Sequence, residues 1–366
     1  MNEQMSVIGD KLKIGIYGAS HGEKIGVKIS GFPCGFKIDK RQILLQMSRR
    51  APGNSSYATA RKEPDFPNIV SGVDENGVSN GEIIEAVIIN TNQHSSDYNA
   101  LKFTPRPGHA DYTAYEKFDG KLDMRGGGKF SGRLTAPLVF AGALCEQWLN
   151  SKGISICAHV SSIKNINDTP FDPVCPDESV MARLKSGPFP VIDDEKKQEM
   201  LDLMKQAKSE LDSVGGTVEC IITGVPVGVG DSLFDGIEGK ISQYIFGIPA
   251  VKGVQFGKGF DVAGSMGSEN NDEFMIKNSK VVTKTNNCGG ILGGISNGMP
   301  IIFKAAFKPT PSISKLQKTV DLSTMTDTTI EIKGRHDPCI VPRAAVCVEA
   351  ATAVAMADLM MINGRI

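Results

Sequence analysis

Helical and strand-like patterns do not alternate along this chain, which argues against a succession of βαβ units. Helix patterns are concentrated at 136–149 (APLVFAGALCEQWL), 194–214 and 343–361. Strand-like runs stand at 83–90, 217–222 and 300–307, among glycine-rich loops. Such segregation favours an α+β fold over a doubly wound parallel sheet.

The local signals give these elements expected bounds. Asp39 caps a helix running through Arg50, with Ile43, Leu44 and Met47 as its apolar stripe and Arg49 and Arg50 favourable at its C-terminus. Residues 136–149 read as a buried helix. In 194–214, Met200, Leu201, Met204, Ala207 and Leu211 share one face, and Gly215 and Gly216 end the helix. The alanine-rich helix from about Arg343 to Met361 is able to pack closely. Glu349 and Asp358 interrupt its apolar run and make it a poor membrane span.

Composition excludes several function classes. The 366 residues are 40% hydrophobic and 22% charged, with a net charge of −1. Nothing global points to nucleic acid or an anionic membrane, so any anion site must be a local cluster. The first thirteen residues lack the apolar stretch of a signal peptide. The eight cysteines form no C-x-x-C pair and read as reduced and mostly buried in a cytoplasmic protein, with no metal site expected.

The common nucleotide and hydrolase signatures are missing. The chain has no G-x-x-x-x-G-K-[ST] loop, no G-x-G-x-x-G after a strand, no H-E-x-x-H and no G-x-S-x-G. It carries basic, glycine-rich clusters instead. Residues 49–62 (RRAPGNSSYATARK) bracket a Pro-Gly turn with arginines suited to phosphate or carboxylate. Residues 125–133 (RGGGKFSGR) set three glycines before the helix at 136, where backbone N–H groups can approach an anion. Gly289 to Gly294 is apolar and suits packing beneath a flat ring as well as packing of turns. Residues 308–313 (KPTPSI) form a turn stiffened by two prolines.

The histidines point to one site. There are five, and three sit in rigid clusters: His21 in GASHG (18–22), His109 in RPGHAD (106–111) and His336 in GRHDP (334–338). Histidine titrates nearest neutrality and suits proton transfer. Three such groups on distant stiff loops suggest one assembled centre that moves protons beside an anion. His94 and His159 read as structural hydrogen-bonding residues.

Taken together, these clusters make the chain resemble chorismate synthase from about Gly15 to Met361. The resemblance rests on GASHG (18–22), RRAPG (49–53), RKEPD (61–65), SGV (71–73), RPGHADYT (106–113), RGGG (125–128), AVKGVQFGKGF (250–260), GGILGGISNG (289–298), KPTPSI (308–313) and GRHDPC (334–339), in that order. It implies a single catalytic domain over 1–366 with a β-α-β sandwich-like architecture and long glycine-rich active-site loops. It implies a homotetramer that uses reduced FMN (FMNH2) for the 1,4-anti elimination of phosphate from 5-enolpyruvylshikimate-3-phosphate, giving chorismate.

The resemblance also assigns roles. His21 assists the departing phosphate, with Ser20 as a proton relay. His109 protonates or steadies the reduced flavin near N1, and Asp337 works with flavin N5 in removing the ring proton. Arg335 serves flavin and substrate, and His336 is a supporting residue. Arg50 meets the substrate anion, helped by Arg49, Arg106 and Arg133. FMN contacts fall on Lys129, Phe130, Ser131, Pro249, Ala250, Gly293, Lys308, Pro309, Thr310, Pro311 and Ser312.

The chain departs from the family pattern in two places. Lys129-Phe130 replaces the usual Arg-Ser after the triple glycine, and Ser56 replaces an arginine of the first basic loop. The competing enzyme class is a flavin oxidoreductase that turns over NAD(P)H. With Ser56 in place of that arginine and no dinucleotide fingerprint, flavin reduced by an external flavin reductase is the expectation. An RNA- or anion-binding protein without catalysis is disfavoured by the balanced charge.

Overall fold

The computed structural model describes residues 5–53, 65–90, 103–332 and 337–364. The chain begins with strands β1 (Ser6–Ile8), β2 (Lys13–Gly18) and β3 (Lys24–Ser30), helix α1 (Lys40–Arg50), and strands β4 (Asn68–Ser71) and β5 (Ile84–Ile89). Helices α2 (Asp111–Lys117) and α3 (Thr135–Asn150) follow, then strands β6 (Ser155–Ile163) and β7 (Ile166–Asn167). Next come α4 (Glu178–Leu184), α5 (Asp194–Ser209), β8 (Gly216–Thr223), α6 (Ile237–Phe246), β9 (Val251–Phe256) and α7 (Gly267–Asn270). Hairpins β10 (Phe274–Lys277) with β11 (Lys280–Thr283) and β12 (Ile291–Leu292) with β13 (Ile295–Ser296) precede β14 (Ile301–Phe307). Hairpin β15 (Gln317–Asp321) with β16 (Thr326–Ile330) leads to the last helix, α8 (Val341–Ile362).

Two five-stranded sheets organise these elements, in the orders β1-β2-β3-β5-β4 and β7-β6-β8-β14-β9. Every neighbouring pair in both is antiparallel. The fold is α+β. Helix α3 packs on β2, β3 and β5, helix α8 on β6 and β8, and the two helices pack on each other. This explains why neither helix has a polar face: each is covered by a sheet on one side and by its partner helix on the other. Their crossing is tight, since a Cβ on Gly142 would stand 2.3 Å from the Cα of Ala350.

Helix α8 is long and apolar enough to cross a membrane, yet it lies buried inside the protein. Its two acids have structural partners. Asp358 accepts hydrogen bonds from the backbone N–H groups of Asp10 (2.9 Å), Lys11 (2.8 Å) and Leu12 (2.8 Å). Glu349 accepts from Arg49 and from the Ala158 N–H at 2.9 Å. A buried carboxylate so partnered escapes the cost of an unmatched charge.

The expected strands and helices are present with small shifts at their ends, and Asp39 caps α1 by accepting from the Arg41 N–H at 2.8 Å. Two expectations need correction. Leu44 is not part of the buried stripe of α1; it is 38% exposed, whereas Ile43 and Met47 are buried. Helix α5 ends at Ser209, not 214. Leu211 takes a left-handed φ of 60°, and the Asp212 and Leu211 N–H groups bond back to Ala207 and Lys208 (2.9 and 3.1 Å). That double bond pattern is a Schellman stop, here with leucine in the usual glycine position. Gly215 has another duty: a Cβ there would lie 2.4 Å from the Phe307 carbonyl oxygen.

All eight cysteines are free. Cys34 and Cys175 are exposed and Cys288 is half-buried, while the other five are buried.

Candidate active site

The site starts where β2 ends. Gly18 turns the chain at φ 96°, and the Ser20 N–H donates to the Gly128 carbonyl at 3.1 Å. The triple glycine takes φ values of 59°, 90° and 54° at Gly126, Gly127 and Gly128, a run only glycine adopts without strain. It also leaves no room for side chains. A Cβ on Gly126 would stand 2.2 Å from His21 Cε1 and 2.9 Å from Ser20 Oγ, and one on Gly127 would stand 3.2 Å from His109 Nε2. Two histidines 88 positions apart in the sequence thus meet consecutive glycines of a third loop. Ser20 is buried, and its Oγ has no hydrogen-bond partner among the described residues.

The His109 loop is held by Asp111, the first residue of α2. Its Oδ2 accepts from the Arg106 backbone N–H (3.0 Å) and Nε (2.6 Å). Its Oδ1 accepts from Arg106 Nη2 (2.7 Å) and lies 2.7 Å from His109 Nδ1. Burial opposes charge on Asp111, but hydrogen bonds from Arg106 and His109 outweigh it and hold this carboxyl far below the usual range. Arg106 Nη1 reaches Ser312 Oγ at 3.1 Å, and Lys308 Nζ donates to the Gly108 carbonyl. The Lys308 N–H donates to Ala250 O at 3.0 Å, and Ala250 has a strained φ of 76°. These bonds place Ala250, Lys308 and Ser312 beside the His109 loop. The Thr310 Oγ1 between them is buried without a partner among the described residues.

A second layer is cationic. Arg50 and Arg133, both buried, bond the two oxygens of Asp65. Arg50 also donates to Thr135 Oγ1 and Gly132 O, each at 3.1 Å, and Arg133 Nε donates to Asn90 Oδ1 at 3.0 Å. Burial raises the Asp65 pKa, but the two guanidinium charges outweigh burial and the net shift is downward. Ser131 helps aim Arg133 by accepting its N–H at 3.3 Å. Arg343 joins the cluster from α8: its Nε donates to the Arg50 carbonyl (2.9 Å) and its Nη1 to Asp337 Oδ2 (2.6 Å).

The sequence-predicted residues divide accordingly. His21, His109, Arg106, Lys308 and Ser312 come together, and Arg50, Arg133 and Asp337 form the adjoining charged cluster. Arg49 turns the other way, bonding Glu349 Oε1 at 3.1 Å in the core between α1 and α8. Lys129 lies 4.3 Å from the ring centroid of Phe118, and Phe130 is partly exposed. Gly293 belongs to the β12–β13 turn, with open space where a side chain would project. Ser56, His94, Arg335 and His336 lie outside the described residues. Asp65, Asp111 and Arg343 had no assigned role in the sequence reading. Asp65 and Asp111 stand inside quoted motifs, but their partners are set by folding.

Two imidazoles, a buried hydroxyl, a carboxylate and a dense set of guanidiniums can shuttle protons beside a bound anion. Comparisons with known proteins agree with that chemistry. Residues 12–361 match the family model described as chorismate synthase. The chain is 44% identical to a chorismate synthase of Lancefieldella parvula, over 97% of this chain and 96% of the relative. It is 43% identical to one of Methanobrevibacter smithii, over 99% of this chain and 98% of the relative. A crystal structure of a chorismate synthase superposes with a TM-score of 0.77 at 27% identity, covering 97% of this chain and 93% of that one.

Proposed function

The chain belongs to the chorismate synthase family, and we propose that it carries out that activity with reduced FMN held against the His109 and Lys308 loops. Its reaction is the shikimate-pathway lyase step: 1,4-anti elimination of phosphate from 5-enolpyruvylshikimate-3-phosphate, giving chorismate with no net redox change.

The residues fit a flavin. The buried hydroxyls Ser20 Oγ and Thr310 Oγ1 have no partner among the described residues, so each can donate to a bound group. The Gly126 and Gly127 backbone lets His21 and His109 close in on one loop, since a Cβ at either position would crowd the imidazoles. Lys308, Thr310, Ser312 and Ala250 would hold the cofactor, with Lys129, Phe130, Ser131, Pro249, Pro309, Pro311, Gly293 and Arg335 as further contacts. Reduced flavin, when bound, lends electron density transiently as the phosphate leaves.

The protein's own part is binding and proton transfer. His21 gives a proton to the departing phosphate, with Ser20 beside it. His109 steadies the reduced ring, and Asp337 accepts the ring proton. Arg50 and Arg133 hold a positive field that favours a substrate bearing a phosphate and two carboxylates. Arg106 acts through Asp111, and Arg49 braces α1 against α8.

The same reading makes 1–366 one catalytic domain in which the two sheets sandwich α3 and α8. It makes the working enzyme a cytoplasmic homotetramer supplied with FMNH2 by a separate reductase.

The meeting of His21 and His109 on consecutive glycines carries this proposal. Anaerobic assay with chemically reduced FMN, against NADPH plus oxidised FMN, tests it. Activity in the first mixture is expected; activity in the second alone would overturn it in favour of a flavin oxidoreductase.

A further inference from the structure

We propose that Asp111 is a positioning residue that fixes the tautomer of His109, leaving Nε2 as the one nitrogen that exchanges a proton with the active site. The inference rests on the reading of His109 as the imidazole at the flavin.

Geometry allows two arrangements at His109 Nδ1. Arg106 Nη2 lies 3.0 Å from it and Asp111 Oδ1 lies 2.7 Å from it. If Nδ1 were bare, it would accept from Arg106 while its lone pair pointed at a carboxylate oxygen at hydrogen-bond distance. If Nδ1 carries hydrogen, it donates to Oδ1, and Arg106 Nη2 donates to the same oxygen at 2.7 Å. An ionised carboxylate only accepts, and a guanidinium only donates. Arg106 has three contacts on Asp111 and keeps it ionised. The second arrangement therefore satisfies every group, while the first sets two acceptors against each other.

The other nitrogen is thereby assigned. Nε2 faces Gly127, at 3.2 Å from where a Cβ would stand. Neutral His109 offers a bare Nε2 to the site, and protonated His109 offers Nε2–H. The proton stays on Nδ1, donated to Asp111 throughout, so ring orientation does not change as the Nε2 proton comes and goes. Arg106 is in turn committed to Asp111 and Ser312, which makes it scaffold for this dyad.

The native enzyme itself carries the decisive readout. In ¹⁵N-histidine NMR of the full chain, with His109 assigned by comparison with His109→Gln, the neutral ring should show a protonated Nδ1 and an unprotonated Nε2. An unprotonated Nδ1 overturns the proposal. Asp111→Asn supplies an amide that can donate to Nδ1 and reverse the tautomer. It should lower kcat by about 100-fold or more while the substrate KM stays within about threefold. Unchanged kcat in a folded Asp111→Asn enzyme also overturns the proposal. Full activity in His109→Ala would instead sink the flavin reading of His109, and with it the purpose assigned to Asp111, whatever the spectrum shows.

Discussion

His21 rests against Gly126 so closely that a Cβ on the glycine would lie 2.2 Å from the imidazole Cε1. The glycine therefore defines where the imidazole can be. Gly126→Ala must displace His21 and also strain a backbone at φ 59°. Displacement of a catalytic group by about 1 Å costs on the order of 100-fold. We expect kcat for chorismate formation to fall by about that factor, with FMN still bound. A Gly126→Ala enzyme at wild-type kcat would show that His21 need not sit where it is found.

Asp65 balances two buried guanidiniums, so its loss should be felt as instability. Asp65→Ala leaves Arg50 and Arg133 uncompensated, a change that costs about 3–5 kcal/mol. Urea denaturation measures it directly. The acid limb follows the same logic: the Asp65 pKa is lowered on folding. Its contribution is present above its unfolded value near 3.8 and is lost as pH falls through the folded value. A variant as stable as the parent would mean that solvent or another anion replaces Asp65 at no cost.

Arg343 ties Asp337 to the Arg50 carbonyl, which gives α8 control over the proposed base. In Arg343→Gln, kcat should fall by about 10- to 100-fold with little change in substrate KM. The isotope effect on the ring hydrogen that is removed should rise, because a misplaced base makes that step slower. Arg343→Lys should recover part of the rate. An unchanged isotope effect alongside a reduced rate would assign Arg343 a structural role only.

His159 is fully buried in the second sheet, with Nδ1 2.7 Å from Asp168 and Nε2 3.0 Å from Glu219. Burial disfavours its charge, but the bonds to these two carboxylates outweigh burial and raise its pKa above 6.5. A raised folded pKa contributes stability that is full below the unfolded value and lost as pH rises through the folded one. Thermal stability should therefore decline as pH rises from about 6.5 through the raised folded value. His159→Gln should be less stable throughout and should lack that slope. A wild-type melting temperature that rises over the window would contradict this account.

Much of the fold is legible in the residues alone. The helices at 135–150 and 341–362 declare themselves by apolar runs, and α1 by its aspartate cap, because these signals act between near neighbours in the chain. The loops that carry the chemistry are legible too, since glycine, proline and histidine cluster in few places. What sequence could not decide was which charged group would face which. Arg49 and Arg50 are adjacent and chemically identical, yet one is claimed by Glu349 in the core and the other by Asp65 at the site. That difference depends on how α1 lies against α8, and so on contacts between residues hundreds of positions apart. The pairing of Asp111 with His109 and Arg106 is local in sequence, but its meaning depends on Gly127, which arrives from another loop. The residues set which groups were available; packing of the two sheets around α3 and α8 set their distances, and proton transfer depends on distance.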